Sequence, residues 1–319
     1  MSQIKTRIVA IRYEARDVLS FVLAPLERGS ELPPYSPGAH VDVHLTGGLV
    51  RSYSLSNGIG DAGVYRLTVQ KDAKSRGGSR FMHEKLQVGQ TLEISAPRNN
   101  FELFEDSPMS VFIAGGIGIT PFMPMMARLN DLGRPWRLHY CVRTRERAAF
   151  LDEITRLSQE GQGEVHLNFD EEPGGVKLDL NEVIRAAPPE AHVYCCGPTG
   201  MLDAYKKAAA PLPPEKVHYE YFNSDVQPAA EGGFLVVLQR SGLEVFVRPG
   251  ETIIQAIRQA GVEVETSCEE GVCGACETRV IAGQPDHRDM ILNERERAES
   301  KSMMICCSGS KSERLVLDL

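Results

Sequence analysis

Residues 266–278 read Thr-Ser-Cys-Glu-Glu-Gly-Val-Cys-Gly-Ala-Cys-Glu-Thr, which puts Cys268, Cys273 and Cys276 on one short loop, and Cys306 follows after 29 intervening residues. Three thiolates close together and a distant fourth is the plant-type ligand spacing of a [2Fe–2S] cluster, whose two irons each need two soft sulfur ligands. Gly271 and Gly274 sit inside the loop, where the backbone must curl around the cluster and aim N–H groups at its sulfurs. A zinc site with four cysteine ligands also uses pairs two residues apart, but such sites place two similar pairs, and this spacing is asymmetric. The run MMICCSGS offers Cys306 and Cys307 side by side. Plant-type ferredoxins take one cysteine there, so Cys306 is the expected ligand; along an extended segment Cys307 points the other way as a buried thiol without a chemical task. Cys141, Cys195 and Cys196 lie in apolar runs and read first as small core residues.

Composition fits an electron-transfer protein. The 319 residues are 42% hydrophobic and 24% charged, enough for real cores and for more than one domain. Eight cysteines without disulfide-framework spacing point to a reducing compartment. The opening MSQIKTRIVAIRYEARD has no long apolar core, and no stretch of about 18 apolar residues occurs, so a cytoplasmic protein without a membrane span is expected. A formal net charge of −8 disfavours nucleic acid and leaves room for an acidic docking face.

Working outward, FLVVLQRSGLEVFV (234–247) predicts a hairpin and ETIIQAIRQAG (251–261) a short amphipathic helix ahead of the cysteine loop. Residues 223–233 form a polar linker. Upstream, the apolar runs VFIAGG, RLHYCV, VHLNF, VYCCG and VHYEYF alternate with helical stretches at 121–132, 149–159 and 199–209, which describes a doubly wound parallel sheet. The first part alternates in strand fashion over 40–46 and 64–70, between turn-forming residues, as in a small antiparallel barrel. The predicted architecture is therefore multidomain, with an antiparallel β-barrel at 1–105, an α/β doubly wound domain at 106–223, a linker at 224–233 and an α+β domain at 234–319.

Arg51-Ser52-Tyr53-Ser54, and Arg76-Gly77-Gly78-Ser79 at a helix start, supply what a flavin needs: a cation for the phosphate, an aromatic face, a hydroxyl near N5, and exposed N–H groups at a positive helix end. An ordinary edge strand followed by a capped helix describes the same residues. Ala114-Gly115-Gly116-Ile117-Gly118-Ile119-Thr120-Pro121 departs from the G-x-G-x-x-G fingerprint, yet its glycines allow close approach to a pyrophosphate, Thr120 is placed to cap the helix and Pro121 suits its first turn. Cys196-Gly197-Pro198 is a second tight turn at the carboxyl edge of the sheet, where Cys196 borders a nicotinamide or packs as a core thiol.

In order, RSYS, RGGS, GGIGITP, CGP and the cysteine loop resemble the phthalate dioxygenase reductase family over essentially the whole chain. The resemblance implies a ferredoxin-reductase-like flavin barrel, an NADH domain and a fused plant-type ferredoxin (β-grasp) domain, serving a Rieske-type non-haem iron oxygenase as a transient protein partner. It implies FMN held by Arg51, Tyr53, Ser54, Gly77, Gly78 and Ser79. Gly116, Gly118, Thr120, Arg143, Cys196, Gly197 and Pro198 then line the nucleotide site, with Ser54, Cys196 and Phe222 beside the reacting rings. Phe222 also reads as simple burial at a strand end. The expected electron path runs from NADH as hydride to the flavin, then singly through the cluster, because a [2Fe–2S] centre takes one electron at a time. A reductase for a cytochrome P450 or a diffusible acceptor, and a redox sensor, are the competing readings.

Two segments depart from the family or stay without a role. Members often carry Ser-Arg after the last cluster cysteine, whereas this chain reads Cys307-Ser308-Gly309-Ser310. Asp286-His287-Arg288-Asp289 reads as a hydrogen-bonded loop with an exposed histidine. Asp170 is placed to accept from ribose hydroxyls, while Arg143, Arg145 and Arg147 suit a 2′-phosphate; the resemblance favours NADH. No stretch between Ser79 and Ser110 offers an adenine shelf, which favours FMN over FAD. Glu263, Glu265, Glu269 and Glu270 read as an acidic exit surface or as ordinary solvated charge.

Overall fold

The computed structural model describes residues 3–27, 29–58, 63–72, 77–222, 228–229 and 231–319. Arg76 and, of the expected linker, residues 224–227 and 230 lie outside the described residues. The chain divides into two compact units, Met1–Phe222 and Asn223–Leu319.

In the first unit, β1 (Ile4–Ala15), β2 (Val18–Pro25), β3 (His40–His44), β4 (Val50–Ser54), β5 (Tyr65–Gln70) and β6 (Thr91–Ile94) form an antiparallel sheet in the order β4-β3-β6-β1-β2-β5. A bridge between Leu55 and Leu67 joins the two outermost strands, so the sheet closes into a barrel. Inward positions fill it: Ile8, Phe21, Leu23, Val41, Val43, Leu55 and Leu67 are buried together, as the alternation of the pleat requires. Helix α1 (Gly78–Lys85) follows β5.

The same unit continues into β7 (Ser110–Gly115), β8 (Trp136–Val142), β9 (Gly163–Phe169), β10 (His192–Gly197) and β11 (Val217–Tyr221), all parallel, in the order β11-β10-β7-β8-β9. Helices α2 (Phe122–Asp131), α3 (Leu151–Glu160), α4 (Leu180–Ala186) and α5 (Thr199–Ala209) make the crossovers. Phe112, Ala114, Leu138, Tyr140, Tyr194 and Cys196 form one core with Phe122, Met126, Leu129 and Ile154 of α2 and α3. Residues of opposite parity face the other layer, where the Tyr205 hydroxyl donates to the Val193 carbonyl at 2.8 Å. Barrel and sheet share this core, since Ala15, Val18 and Phe101 belong to it. The largely buried Arg66 of β5 also pairs with Glu153 of α3 at 2.8 Å.

In the second unit, β12 (Phe234–Leu238), β13 (Leu243–Val247), β14 (Glu277–Ala282), β16 (Ser302–Met304) and β18 (Arg314–Leu317) form a mixed sheet, order β13-β12-β18-β14-β16, with β12 and β18 parallel. Helix α6 (Ile253–Gln259) covers one face, begun by a capping box in which Thr252 and Gln255 bond each other's backbone N–H groups. The hairpin and the helix are those the pattern predicts, and the arrangement is the β-grasp that the resemblance implies. A two-residue ladder of β15 (Pro285–Asp286) with β17 (Gly309–Ser310) and helix α7 (Glu294–Glu299) complete it.

Candidate functional site

The parallel sheet reverses its strand order between β7 and β10, and glycine loops leave the carboxyl ends of these two strands. Ligands bind at such a switch point because both loops diverge there and expose backbone N–H groups. The loops here are interlocked. A Cβ on Gly118 would lie 2.0 Å from the Cys196 carbonyl oxygen, and one on Gly115 would lie 2.7 Å from Pro198 Cδ. Gly116 has a left-handed φ of +56° and faces the side chain of Gln70, at the end of barrel strand β5. Thr120 acts differently from the expectation: its hydroxyl donates to Ile117 O at 3.0 Å and closes a 3-10 turn, and Pro121 is the residue that precedes α2.

Glu220 is a residue the sequence reading missed. Its register opposite Cys196 brings the Cys196 Sγ to 3.4 Å from its backbone oxygen and 3.9 Å from Oε2. Burial pushes the Glu220 carboxyl up to about 8 and the Cys196 thiol well above its ordinary range, so both are protonated near neutrality. Phe222 follows β11 and packs, partly buried, on the core that contains Cys196.

The arginines after β8 are engaged. Arg143 pairs with Glu171 at 3.5 Å, Arg145 lies over the Phe169 ring at 4.7 Å, and Arg147 pairs with Asp17 at 3.2 Å. Acidic partners around this cationic loop disfavour a 2′-phosphate.

On the barrel, Arg51 and Tyr53 project to one side of β4 and Ser52 and Ser54 to the other. Gly77, with φ +105°, precedes α1, and a Cβ on Gly78 would meet Arg51 Cγ at 2.6 Å. The absence of a side chain is what lets Arg51 cross the helix start, bringing a guanidinium to a helix N-terminus as a phosphate site requires. Tyr53 is desolvated, which pushes its hydroxyl up to about 12 despite Arg51. The Ser79 hydroxyl accepts from the Asp72 N–H at 3.1 Å, which ties the first turn of α1 to the residue two beyond β5.

In the second unit Cys268, Cys273, Cys276 and Cys306 are all buried. Their sulfurs meet in two pairs: the Cys273 thiol bonds Cys268, holding the latter low, and Cys276 bonds Cys306. Two sulfur pairs suit the two irons of a [2Fe–2S] cluster, each of which needs two protein sulfurs. The backbone supplies donors: Cys268 N–H to Cys273 Sγ at 3.4 Å and Glu270 N–H to Cys268 Sγ at 3.3 Å. The donor set thus fits a [2Fe–2S] cluster.

Three details differ from the sequence expectation. Cys306 and Cys307 lie in a turn after β16, not on an extended strand, with Ser308 N–H donating to Met304 O at 3.0 Å. The His287 side chain is only 8% exposed and 3.8 Å from Asp289. Its segment walls the cluster loop: Met290 N–H donates to Gly271 O, Arg288 N–H to Ser308 Oγ, and Asp289 Oδ2 accepts from Ile291 and Leu292 N–H. Of the four glutamates near the loop, Glu263 and Glu265 are exposed, Glu269 pairs with Arg258 at 2.7 Å, and Glu270 is buried.

Comparison with known proteins fits these sites. Residues 112–207 match the family model of the oxidoreductase NAD-binding domain, and residues 236–310 that of the 2Fe-2S iron-sulfur cluster binding domain. The chain is 49% identical to phenoxybenzoate dioxygenase subunit beta of Ectopseudomonas oleovorans, over 100% of this chain and 98% of that protein. It matches the solved structure of phthalate dioxygenase reductase, described as modular for electron transfer from pyridine nucleotides to [2Fe-2S]. That match has a TM-score of 0.75 and 36% identity, over 100% of this chain and 98% of the other. The chain belongs to the phthalate dioxygenase reductase family. It is 46% identical to tetrachlorobenzoquinone reductase of Sphingobium chlorophenolicum, over 100% of this chain and 99% of that protein. It also resembles a type IV self-sufficient cytochrome P450 monooxygenase (TM-score 0.87, 38% identity), with 99% of this chain covering 41% of that longer one.

Proposed function

We propose that this chain is the reductase component of a two-component Rieske non-haem iron oxygenase, carrying electrons from NADH through FMN and a [2Fe–2S] cluster to an oxygenase that acts on an aromatic acid or similar small substrate. The observation that carries this reading is the presence in one chain of a nucleotide cleft at the β7/β10 switch point and a cradle of paired cysteines. When bound, the flavin supplies the conversion of a hydride pair into single electrons. The chain's own residues bind and orient. Gly116, Gly118, Gly197 and Pro198 bring backbone to the pyrophosphate, with Thr120 setting the turn and Arg143, held by Glu171, at the ribose end. Arg51, Tyr53, Gly77, Gly78 and Ser79 hold the FMN. Ser54, Cys196 and Phe222 would border the reacting rings, and there the Cys196 thiol and the Glu220 carboxyl, both raised by burial, would present neutral groups. Cys268 with Cys273, and Cys276 with Cys306, ligate the two irons.

The division 1–105, 106–223 and 234–319 follows from these assignments, although the first two parts share a core. A cytoplasmic location is supported by eight buried cysteines of which none is in a disulfide, four of them assigned to the cluster. Among the described residues no helix is long and apolar enough to cross a membrane. Two relatives favour a second reading of the acceptor: the quinone reductase suggests a diffusible quinone, and the longer P450 chain suggests a haem domain. Purified protein is assayed for NADH oxidation with a Rieske oxygenase, a cytochrome P450 and a halogenated benzoquinone. Transfer to the oxygenase alone supports the proposal, and turnover only with the quinone or the P450 replaces it.

A further inference from the structure

Arg66 of β5 ties the barrel segment expected beside the flavin to a helix of the nucleotide-binding sheet. Its side chain is only 10% exposed. On the barrel side its Nε donates to Ser56 Oγ at 3.3 Å and its Nη2 to the Ser56 carbonyl, while the Ser56 N–H donates back to Arg66 O at 2.9 Å. Ser56 is fully buried and follows Ser54 by two residues. On the sheet side, Nη1 and Nη2 donate to Glu153 Oε2 and Oε1 of α3 at 2.8 and 3.0 Å. The guanidinium also lies 4.9 Å from the centre of the Phe150 ring, and Phe150 opens α3 in a left-handed conformation with φ +64°. Helix α3 packs Ile154 and Leu157 into the core that contains Ala114 of β7 and Cys196 of β10. Other ties across this boundary lie nearer the surface, Arg16 with Glu146 at 2.6 Å and Arg147 with Asp17 at 3.2 Å.

We propose that Arg66 is a positioning residue for hydride transfer: its planar fork grips Ser56 with one edge and Glu153 with the other, and so sets the spacing between flavin ring and nicotinamide. The inference rests on the NADH-to-FMN step proposed above, in which a hydride with both electrons passes to the flavin and NAD+ leaves. A guanidinium can hold two partners in one plane because its five donors are fixed relative to each other, with the carboxylate taken bidentately. An ammonium is a single point on a flexible stem and cannot. Reactions that work by alignment are steep in distance, and a misplacement of about 1 Å costs about 100-fold in rate. The core shared by barrel and sheet keeps the two parts joined when the fork is lost, so the consequence is misalignment rather than separation.

The test uses the FMN-loaded full chain with Arg66→Lys, which keeps the charge but not the fork, and with Glu153→Gln, which turns one of the two acceptors into a donor. Flavin content and melting temperature are measured first. Flavin reduction is then followed by stopped flow at saturating NADH, and separately with dithionite, a small reductant that needs no nucleotide site. Ring overlap is read from the long-wavelength charge-transfer absorption with tetrahydro-NADH, an analogue that cannot give hydride. Both variants are expected to be reduced at least about 10-fold more slowly by NADH, to keep the wild-type rate with dithionite, and to show a weakened charge-transfer band. A fall of less than about 10-fold with NADH, an equal slowing with both reductants, or an unaltered band overturns the proposal. Should Arg66→Lys lose its flavin, Glu153→Gln decides alone, because Glu153 lies on a helix with its side chain 28% exposed. A wild type that binds FMN but is not reduced by NADH sinks the underlying step instead.

Discussion

Gly118→Ala is the sharpest test of the nucleotide cleft. The added Cβ would sit 2.0 Å from the Cys196 carbonyl oxygen and 2.5 Å from its carbon, whereas real Cβ contacts stay beyond about 3.0 Å. Both partners are backbone at the ends of β7 and β10, so no side chain can swing away, and the two loops must part by about 1 Å. Overpacking of this kind costs about 1–3 kcal/mol. A misplacement of about 1 Å in a site that works by alignment costs about 100-fold in rate. The expected result is a fall of about 100-fold in kcat/KM for NADH with an artificial acceptor, at unchanged flavin and iron content. Gly116→Ala is the control: its Cβ meets nothing nearer than Gln70 Oε1 at 3.9 Å, and only the left-handed φ is strained, at about 1–2 kcal/mol. A Gly118→Ala protein within twofold of wild type would refute the interlocked-loop reasoning.

Cys273→Ser is expected to abolish the iron–sulfur absorption while flavin binding persists, since the two sites lie in separate compact units; flavin loss in that variant contradicts the separation. Glu220 is raised from about 4.5 to about 8 by burial, so its neutral form contributes stability that is fully present below pH 4.5 and is lost as pH rises to about 8. Glu220→Gln, which mimics the neutral acid, should therefore melt with wild type below pH 4.5 and above it near pH 8; identical melting at both values removes the buried-acid assignment. Glu263→Gln should weaken the ionic-strength dependence of electron delivery, whereas Glu269→Gln, whose carboxylate pairs with Arg258 and accepts from Thr266, should weaken it less. Equal salt responses in all three proteins place the exit surface elsewhere.

What the sequence revealed is what chemistry ties to local spacing. Three closely spaced cysteines and glycine turns after strands show in local spacing, so Cys268, Cys273, Cys276, Gly116, Gly118 and Gly197 could be named as candidates without a structure. The β1–β2 hairpin was not, because irregular registers at Ile8/Ala10 and Tyr13/Ala15 break the two-residue alternation on which strand reading depends. Helix α4, with seven residues, is too short to establish a period. Glu220 was hidden in an apolar run, and only its register opposite Cys196 gives it meaning. The burial of His287 and of Glu270 was not legible for a common reason. Whether a charge is solvated, paired or buried depends on partners such as Arg258, Ser308 and Gly271, which sequence order does not bring together.

Anaerobic titration of the purified protein with NADH, followed by visible absorption and electron paramagnetic resonance, tests the central claim most directly. The account predicts about two irons and two acid-labile sulfides per chain, bleaching of flavin and iron–sulfur bands together, and the signal of a reduced [2Fe–2S] centre. Zinc in place of iron and sulfide, or a cluster that stays oxidised while the flavin is reduced, would contradict it.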